Sequence, residues 1–240
     1  ANYNTAVGYG TLSDNTTGIQ NTAIGRVALA NNTTASYNTA VGNDALFINT
    51  TGALNTAVGK DALANNTTAS DNTAVGQKAL RNNTTGAQNT AVGSYNMEYN
   101  TTASNNTAIG YNTLNVNTTG ANNIALGAYA LDFNSTAHDN VAIGTYAMTA
   151  SNSADNVAVG NLALYSLTSG HSNTALGSLA LRYNTTANYN VAVGQNAMAA
   201  NTTGQWNSAV GAGALDANTT ASNNTAIGQG AMGGNTTGAS

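Results

Sequence analysis

A glycine returns every 17 residues along the whole chain. Gly8, Gly25, Gly42, Gly59, Gly76, Gly93, Gly110, Gly127, Gly144, Gly160, Gly177, Gly194, Gly211 and Gly228 each close a copy of Asn-Thr-Ala-Val-Gly or a near variant of it. The single departure from the period is the 16-residue step from Gly144 to Gly160. The full unit reads N-T-A-(V/I/L)-G-x-x-A-(L/M)-x-x-N-T-T-(G/A)-x-x. A fixed period over so many copies means stacked units, each too small to bury a core alone. Seventeen residues is too short for helix-pair repeats, which need about 33. It suits one coil of an all-β, parallel β-solenoid (β-roll), and the chain then holds fourteen such coils as one repeat solenoid over 1–240.

Helix is a poor reading of this unit, because Asn, Thr and Gly dominate it and all disfavour helix interiors. The first strand is expected at Thr-Ala-Val, as in Thr5-Ala6-Val7, with Gly8 making a corner at positive φ. A second strand is expected at the Ala-Leu pair, as in Ala28-Leu29. The Asn-Thr-Thr segment forms a third side or broad turn. The chain has no Pro, consistent with a ladder that needs every N–H. The residue after Asn-Thr-Thr alternates between Gly and Ala from Gly18 and Ala35 to Ala137, slips at Ala154 beside the short repeat, and resumes at Gly170. The 17-mer therefore reads as half of a 34-residue unit. The irregular coil lies near 145–173, where Asn-Thr-Thr is replaced by Ser151-Asn152-Ser153 and Leu167-Thr168-Ser169. A one-residue deletion at a corner leaves the strands in register, so Val157, Val159 and Leu164 are expected to stay aligned and 149–155 to absorb the change.

All 14 charged residues occupy x positions, which identifies those positions as exposed corners. With 5 basic and 9 acidic residues the chain has no basic patch, which excludes ordinary nucleic-acid binding. The absence of Cys excludes disulfides and thiolate metal sites, and no apolar run is long enough to span a membrane. Ala1 is not an initiator Met, no signal peptide is present, and neither end has an atypical capping repeat. The sequence thus reads as a fragment of a longer fibre.

Neighbouring strand residues face opposite ways, so the Ala-Val pair makes both faces of the strand apolar. A strand covered on both faces implies a second layer, such as another subunit. The branched residue is expected to fill the coil's own interior, with Ala at the contact between chains; the swapped assignment is the alternative.

The core motif resembles S/N-x-A-I-G-x-x-A, the hallmark of the head repeats of trimeric autotransporter adhesins. Asn106-Thr107-Ala108-Ile109-Gly110 and Asn140-Val141-Ala142-Ile143-Gly144, with Ala147 following, carry the likeness. The longer N-T-A-V-G-x-x-A-L-x-x-N-T-T-G unit is also similar to repeats of bacteriophage tail fibres and bacterial surface fibres. The resemblance implies a left-handed, trimeric roll at a cell surface or on a virion. The adhesin heads usually have a shorter period, and their neck, stalk and anchor have no counterpart here.

Little in the sequence points to chemistry. His138 and His171 form no ligand motif, and the carboxylates are scattered, so no enzyme activity, metal or cofactor is expected. Asp44 and Asp61, with Lys60 and Lys78 near them, read as surface charge. Asn-Thr-Thr and its variant Asn-Ser-Thr are formally N-glycosylation acceptors, at Asn15, Asn32, Asn49, Asn66, Asn83, Asn100, Asn117, Asn134, Asn184, Asn201, Asn218 and Asn235. The competing reading is a stacked ladder in which identical amides bond along the pile. Tyr9, Tyr95, Tyr111, Tyr129, Tyr146 and Trp206 are candidate surface contacts for a glycan or receptor. The row Thr5, Thr22, Thr39, Thr56, Thr73, Thr90 and Thr107 resembles an ice-binding solenoid face, but it changes to Ile124, Val141, Val157 and Val191. The expected function is a structural or adhesive segment of an extracellular fibre, homo-oligomeric, with a carbohydrate- or ice-binding solenoid as the alternative.

Overall fold

A computed structural model describes residues 3–238; Ala1, Asn2, Ala239 and Ser240, which the fourteen-coil reading includes, lie outside the described residues. The chain forms two compact units, Ala1–Asn122 and Asn123–Ser240. Both are all-β solenoids with one three-residue strand per coil. The first holds β1 (Thr5–Val7), β2 (Thr22–Ile24), β3 (Thr39–Val41), β4 (Thr56–Val58), β5 (Thr73–Val75), β6 (Thr90–Val92) and β7 (Thr107–Ile109). The second holds β8 (Ile124–Leu126), β9 (Val141–Ile143), β10 (Val157–Val159), β11 (Thr174–Leu176), β12 (Val191–Val193), β13 (Ser208–Val210) and β14 (Thr225–Ile227). Within each unit successive strands pair in parallel and in strict register, Ala on Ala, as in Ala57↔Ala74 and Ala192↔Ala209.

The Asn55–Asn72 coil shows how the residues set the path. Asn55 points inward, Thr56 and Val58 outward, and Ala57 inward with no exposed surface. Gly59 then turns the chain at φ 135°, and the motif glycines share this conformation, between 124° and 142°. The Ala-Leu pair is not a second strand, contrary to the expectation. Ala62 and Leu63 are consecutive, yet both are fully buried, which an extended strand forbids. Left-handed residues on either side of Ala62 make this possible: Asp61 at φ 59° and Leu63 at φ 50°. Ladder bonds persist there, from Leu46 N–H to Ala62 O and from Leu63 N–H to Ala79 O, each at 3.0 Å. A third left-handed residue, Asp71 at φ 62°, precedes the next motif Asn.

The strand faces are the reverse of the first expectation and match the swapped one. Ala is inward and the branched residue outward: Ala108 is 0% exposed and Ile109 44%. The physical reason is space. A Leu or Met from each inner coil already occupies the interior, from Leu29 to Leu114 in the first unit and from Leu131 to Leu215 in the second. Only a methyl fits opposite it.

The inner corners are held by amides. Motif Asn side chains accept the N–H of their counterpart one coil on, as Asn38 Oδ1 does from Asn55 N at 2.9 Å, and donate Nδ2 across the coil, as Asn55 does to Ala69 O at 2.8 Å. Beside the short coil, the buried Asn140 Nδ2 has no acceptor.

The Gly/Ala alternation has a structural cause. In five of the coils with Ala the following residue supplies a side-chain acceptor to the neighbouring coil; His138 and Asp155, after Ala137 and Ala154, are the exceptions. Ser36 Oγ accepts Ile19 N–H, Ser70 Oγ accepts Ala53 N–H and Ser104 Oγ accepts Ala87 N–H, each at 3.0 Å. Asn188 Oδ1 and Ser222 Oγ do the same for His171 and Gln205. In Gly coils a Cβ has no room: at Gly52 it would sit 2.2 Å from Ala69 O. Two adjacent coils are thus different parts of one unit.

The short coil keeps register as expected. Val157 pairs with Val141 and Val159 with Ile143, and Leu164 stays fully buried. Elsewhere two successive Thr N–H groups share one backbone carbonyl, as Thr16 and Thr17 share Thr33 O at 2.9 and 3.2 Å. Here Asn152 Oδ1 takes that place, accepting Ser135 N at 3.2 Å and Thr136 N at 2.9 Å. A side-chain carbonyl replaces the one the deletion displaced.

Candidate functional site

The Asn-Thr-Thr triplets lie on the third side of each coil, and the Asn points in. In the first unit Asn32, Asn49, Asn66, Asn83, Asn100 and Asn117 each donate Nδ2 to the Oδ1 of the preceding Asn, at 2.8–3.2 Å. The same nitrogen donates to the carbonyl three residues on, as Asn66 does to Ala69 O at 2.9 Å. In the second unit Asn201, Asn218 and Asn235 continue the pattern from Asn184. Ten of the twelve formal acceptors are fully buried: Asn32, Asn49, Asn66, Asn83, Asn100, Asn117, Asn134, Asn184, Asn201 and Asn218. Nδ2, the atom a glycan would occupy, lies in the interior at these ten positions. Where the ladder is continuous both of its protons are engaged, so the folded coil offers it to no sugar. Asn15 and Asn235 are half-buried, and Asn15 Nδ2 still donates to Gly18 O. At the ten buried positions the triplet forms the amide ladder that competes with the glycan-acceptor reading. The first Thr extends the ladder through its hydroxyl, as Thr33 Oγ1 does to Thr50 O at 3.1 Å.

Ser151 and Leu167, both fully buried, interrupt this ladder. The interruption leaves Asn184 Nδ2 with one acceptor, Ala187 O at 3.1 Å.

The charged positions are not uniformly exposed, which corrects the reading of x positions as open corners. The site five residues after the motif Gly is a partly covered seam. Glu98 is buried there and meets Lys78 Nζ at 3.5 Å and Arg81 Nη1 at 3.7 Å. Asp132 occupies the same position in the second unit, 7% exposed and without an ion pair. Burial pushes its carboxyl up from 3.8 to about 6. The folded chain therefore holds a proton there that the unfolded chain releases first. Its stabilising effect is complete below about pH 4 and is lost as pH rises through about 6. Asp132→Asn is expected to flatten this dependence and raise stability at pH 7 by about 1–3 kcal/mol, measured by thermal melts of both chains between pH 4 and 7. Equal slopes in the two chains would count against the assignment.

The candidate aromatics fall on two corners. Tyr95 and Tyr111 meet edge to face, 5.9 Å between centroids, with Lys78 Nζ 5.1 Å from the Tyr95 ring. Tyr129 and Tyr146 stack at 5.0 Å, and Tyr165 meets Tyr146 edge-on at 6.4 Å. Trp206 stacks on Tyr189 at 4.1 Å on the corner before the motif Asn. Tyr9 is strongly exposed and joins no ring pair among the described residues. Tyr189 and Tyr165 are not among the aromatics named from sequence; the coil spacing alone places Tyr189 beside Trp206.

The outer sheet face carries two rows of outward side chains. In the first unit it carries the Thr row beside Val7, Ile24, Val41, Val58, Val75, Val92 and Ile109. In the second unit both rows become apolar at Ile124/Leu126, Val141/Ile143, Val157/Val159 and Val191/Val193. Among the described residues no cavity opens, no three His, Cys, Asp or Glu residues gather as for a metal ion, and no helix is long and apolar enough to cross a membrane. No protein-family model matches the chain, and no curated protein matches it.

Proposed function

We propose that the chain is a structural segment of an extracellular fibre, at a cell surface or on a virion, in which copies of the chain pack through the outer sheet face as a trimer. The supporting observation is the outward row of Val, Ile and Leu within each unit, on strands whose inner face is already filled with Ala. Covering such a side chain gains on the order of 1 kcal/mol each when half of it is already buried, and the row repeats that gain in every coil. Its role is to span distance and present a surface. The resemblance to adhesin heads and tail-fibre repeats supports the trimer and the location.

Sedimentation velocity on the purified chain tests the reading. The wild type is expected to run as a trimer. Ile109→Glu and Ile143→Glu place a charge on the contact face and are expected to give monomers with unchanged circular dichroism. A monomeric wild type would overturn the association. The outward Thr row of β1–β7 favours a second reading, an ice-binding face, for which thermal hysteresis in the wild type is the expected result.

A further inference from the structure

One corner of the second unit carries an exposed stack of two unlike aromatic rings. At the position before the motif Asn, Tyr189 and Trp206 stack with ring planes 13° apart, and His171 meets Tyr189 edge-on at 5.0 Å and 86°. Tyr189 and Trp206 are both left-handed, at φ 58° and 60°. Each is tied to the coil below, Tyr189 N–H to His171 O at 3.2 Å and Trp206 N–H to Asn188 O at 3.3 Å. The rings therefore stand on fixed backbone. Trp206 is 56% exposed and Tyr189 40%.

Tyr189 covers one face of the indole. The other face looks along the stack toward Asn223, which holds the same position one coil on and donates its N–H to Gln205 O at 3.0 Å. The side-chain amides of Gln205 and Asn223 make no hydrogen bond, and both reach solvent. No Asp, Glu, Lys or Arg occupies this corner between His171 and Asn223. An open indole face, two free amides and no charge suit a ligand with an apolar face and a rim of hydroxyls. The patch is too small for a protein partner: two aromatics bury about 150–250 Å² each at most, against about 800 Å² on each side of a stable interface.

We infer that this corner is a binding site for a neutral pyranose sugar, with the sugar ring on the open face of Trp206 and its hydroxyls on the amides of Gln205 and Asn223. The inference goes beyond the fibre reading and stands whether or not the chain is a trimer.

Trp206 is the chain's single Trp, so its emission reports the site directly. The full chain is titrated with β-linked gluco-oligosaccharides, β-linked galacto-oligosaccharides and N-acetylglucosamine oligomers. A saturable shift or quench is expected with at least one of the three. The double variant Gln205→Ala/Asn223→Gly, with Gly at the left-handed Asn223 position (φ 62°), is expected to weaken that binding by about five-fold or more per lost hydrogen bond, with a melting curve close to that of the wild type. Tyr146→Phe, on the other corner, is expected to bind as wild type does. Emission that stays still with all three probes, or equal binding by the double variant, overturns the inference.

Discussion

Gly76→Ala is expected to cost about 4 kcal/mol or more and to split the stack at that coil. Gly76 sits at φ 133°, where any side chain is strained. An added Cβ would lie 2.4 Å from Gly93 O, 2.5 Å from Gly93 C and 3.0 Å from Ser94 N. All three are backbone atoms, and Gly93 N–H is bonded back to Val75 O at 2.7 Å. Nothing can yield without opening the ladder, which places the change among the rare large destabilisations. In a repeat stack each coil contacts only its neighbours, so melting should show two steps where the wild type shows one. Gly234→Ala is the control, since no atom lies within 4 Å of its added Cβ. A single unshifted transition for Gly76→Ala would show that the coils do not depend on this close approach.

Ala108→Glu should be the second large effect, and its contrast with Ile109→Glu tests which strand face is inner. Ala108 has no exposed surface and pairs directly with Ala91 in the coil before it. A carboxylate there has no cation to meet and must either remain charged in the interior or protonate. Either outcome costs several kcal/mol. Circular dichroism is expected to lose much of its β signal at ambient temperature. Ile109→Glu, one residue away but outward, is expected to keep the signal. The opposite ranking would mean that the branched row fills the coil.

Both changes concern features that the sequence reveals unevenly. The period, the parallel class, the glycine corner and the register across the short coil follow from spacing and from where Gly occurs and Pro does not. Alternation shows that Ala108 and Ile109 face opposite ways, but not which is inside. That depends on the volume already taken by Leu and Met from another side of the coil, which no strand-level pattern contains. The Ala-Leu segment misleads for a related reason. Asp61, Leu63 and Asp71 are left-handed without being Gly, so the turns around them leave no compositional mark. The triplet at Asn66 satisfies a glycosylation motif and an amide ladder equally, and only burial separates the two. The Tyr189–Trp206 platform was half legible: Trp206 is readable as an aromatic at a corner position, while its partner emerges only when one coil is placed on the next.

The pairing of unlike coils carries a consequence for how genes of this kind change length. Ser70 serves Ala53 in the coil before it, and Gly52 leaves the space that Ala69 O fills. A duplication or loss of one coil by DNA slippage would bring two Gly coils or two Ala coils together, leaving a donor without its serine or a methyl against a carbonyl. A slip of two coils restores every partner. Length variants should therefore survive selection in double steps. Where the phase does slip, between Ala137 and Ala154, the chain carries the scar of a repair: one residue fewer, and Asn152 holding two amide protons in place of the lost carbonyl.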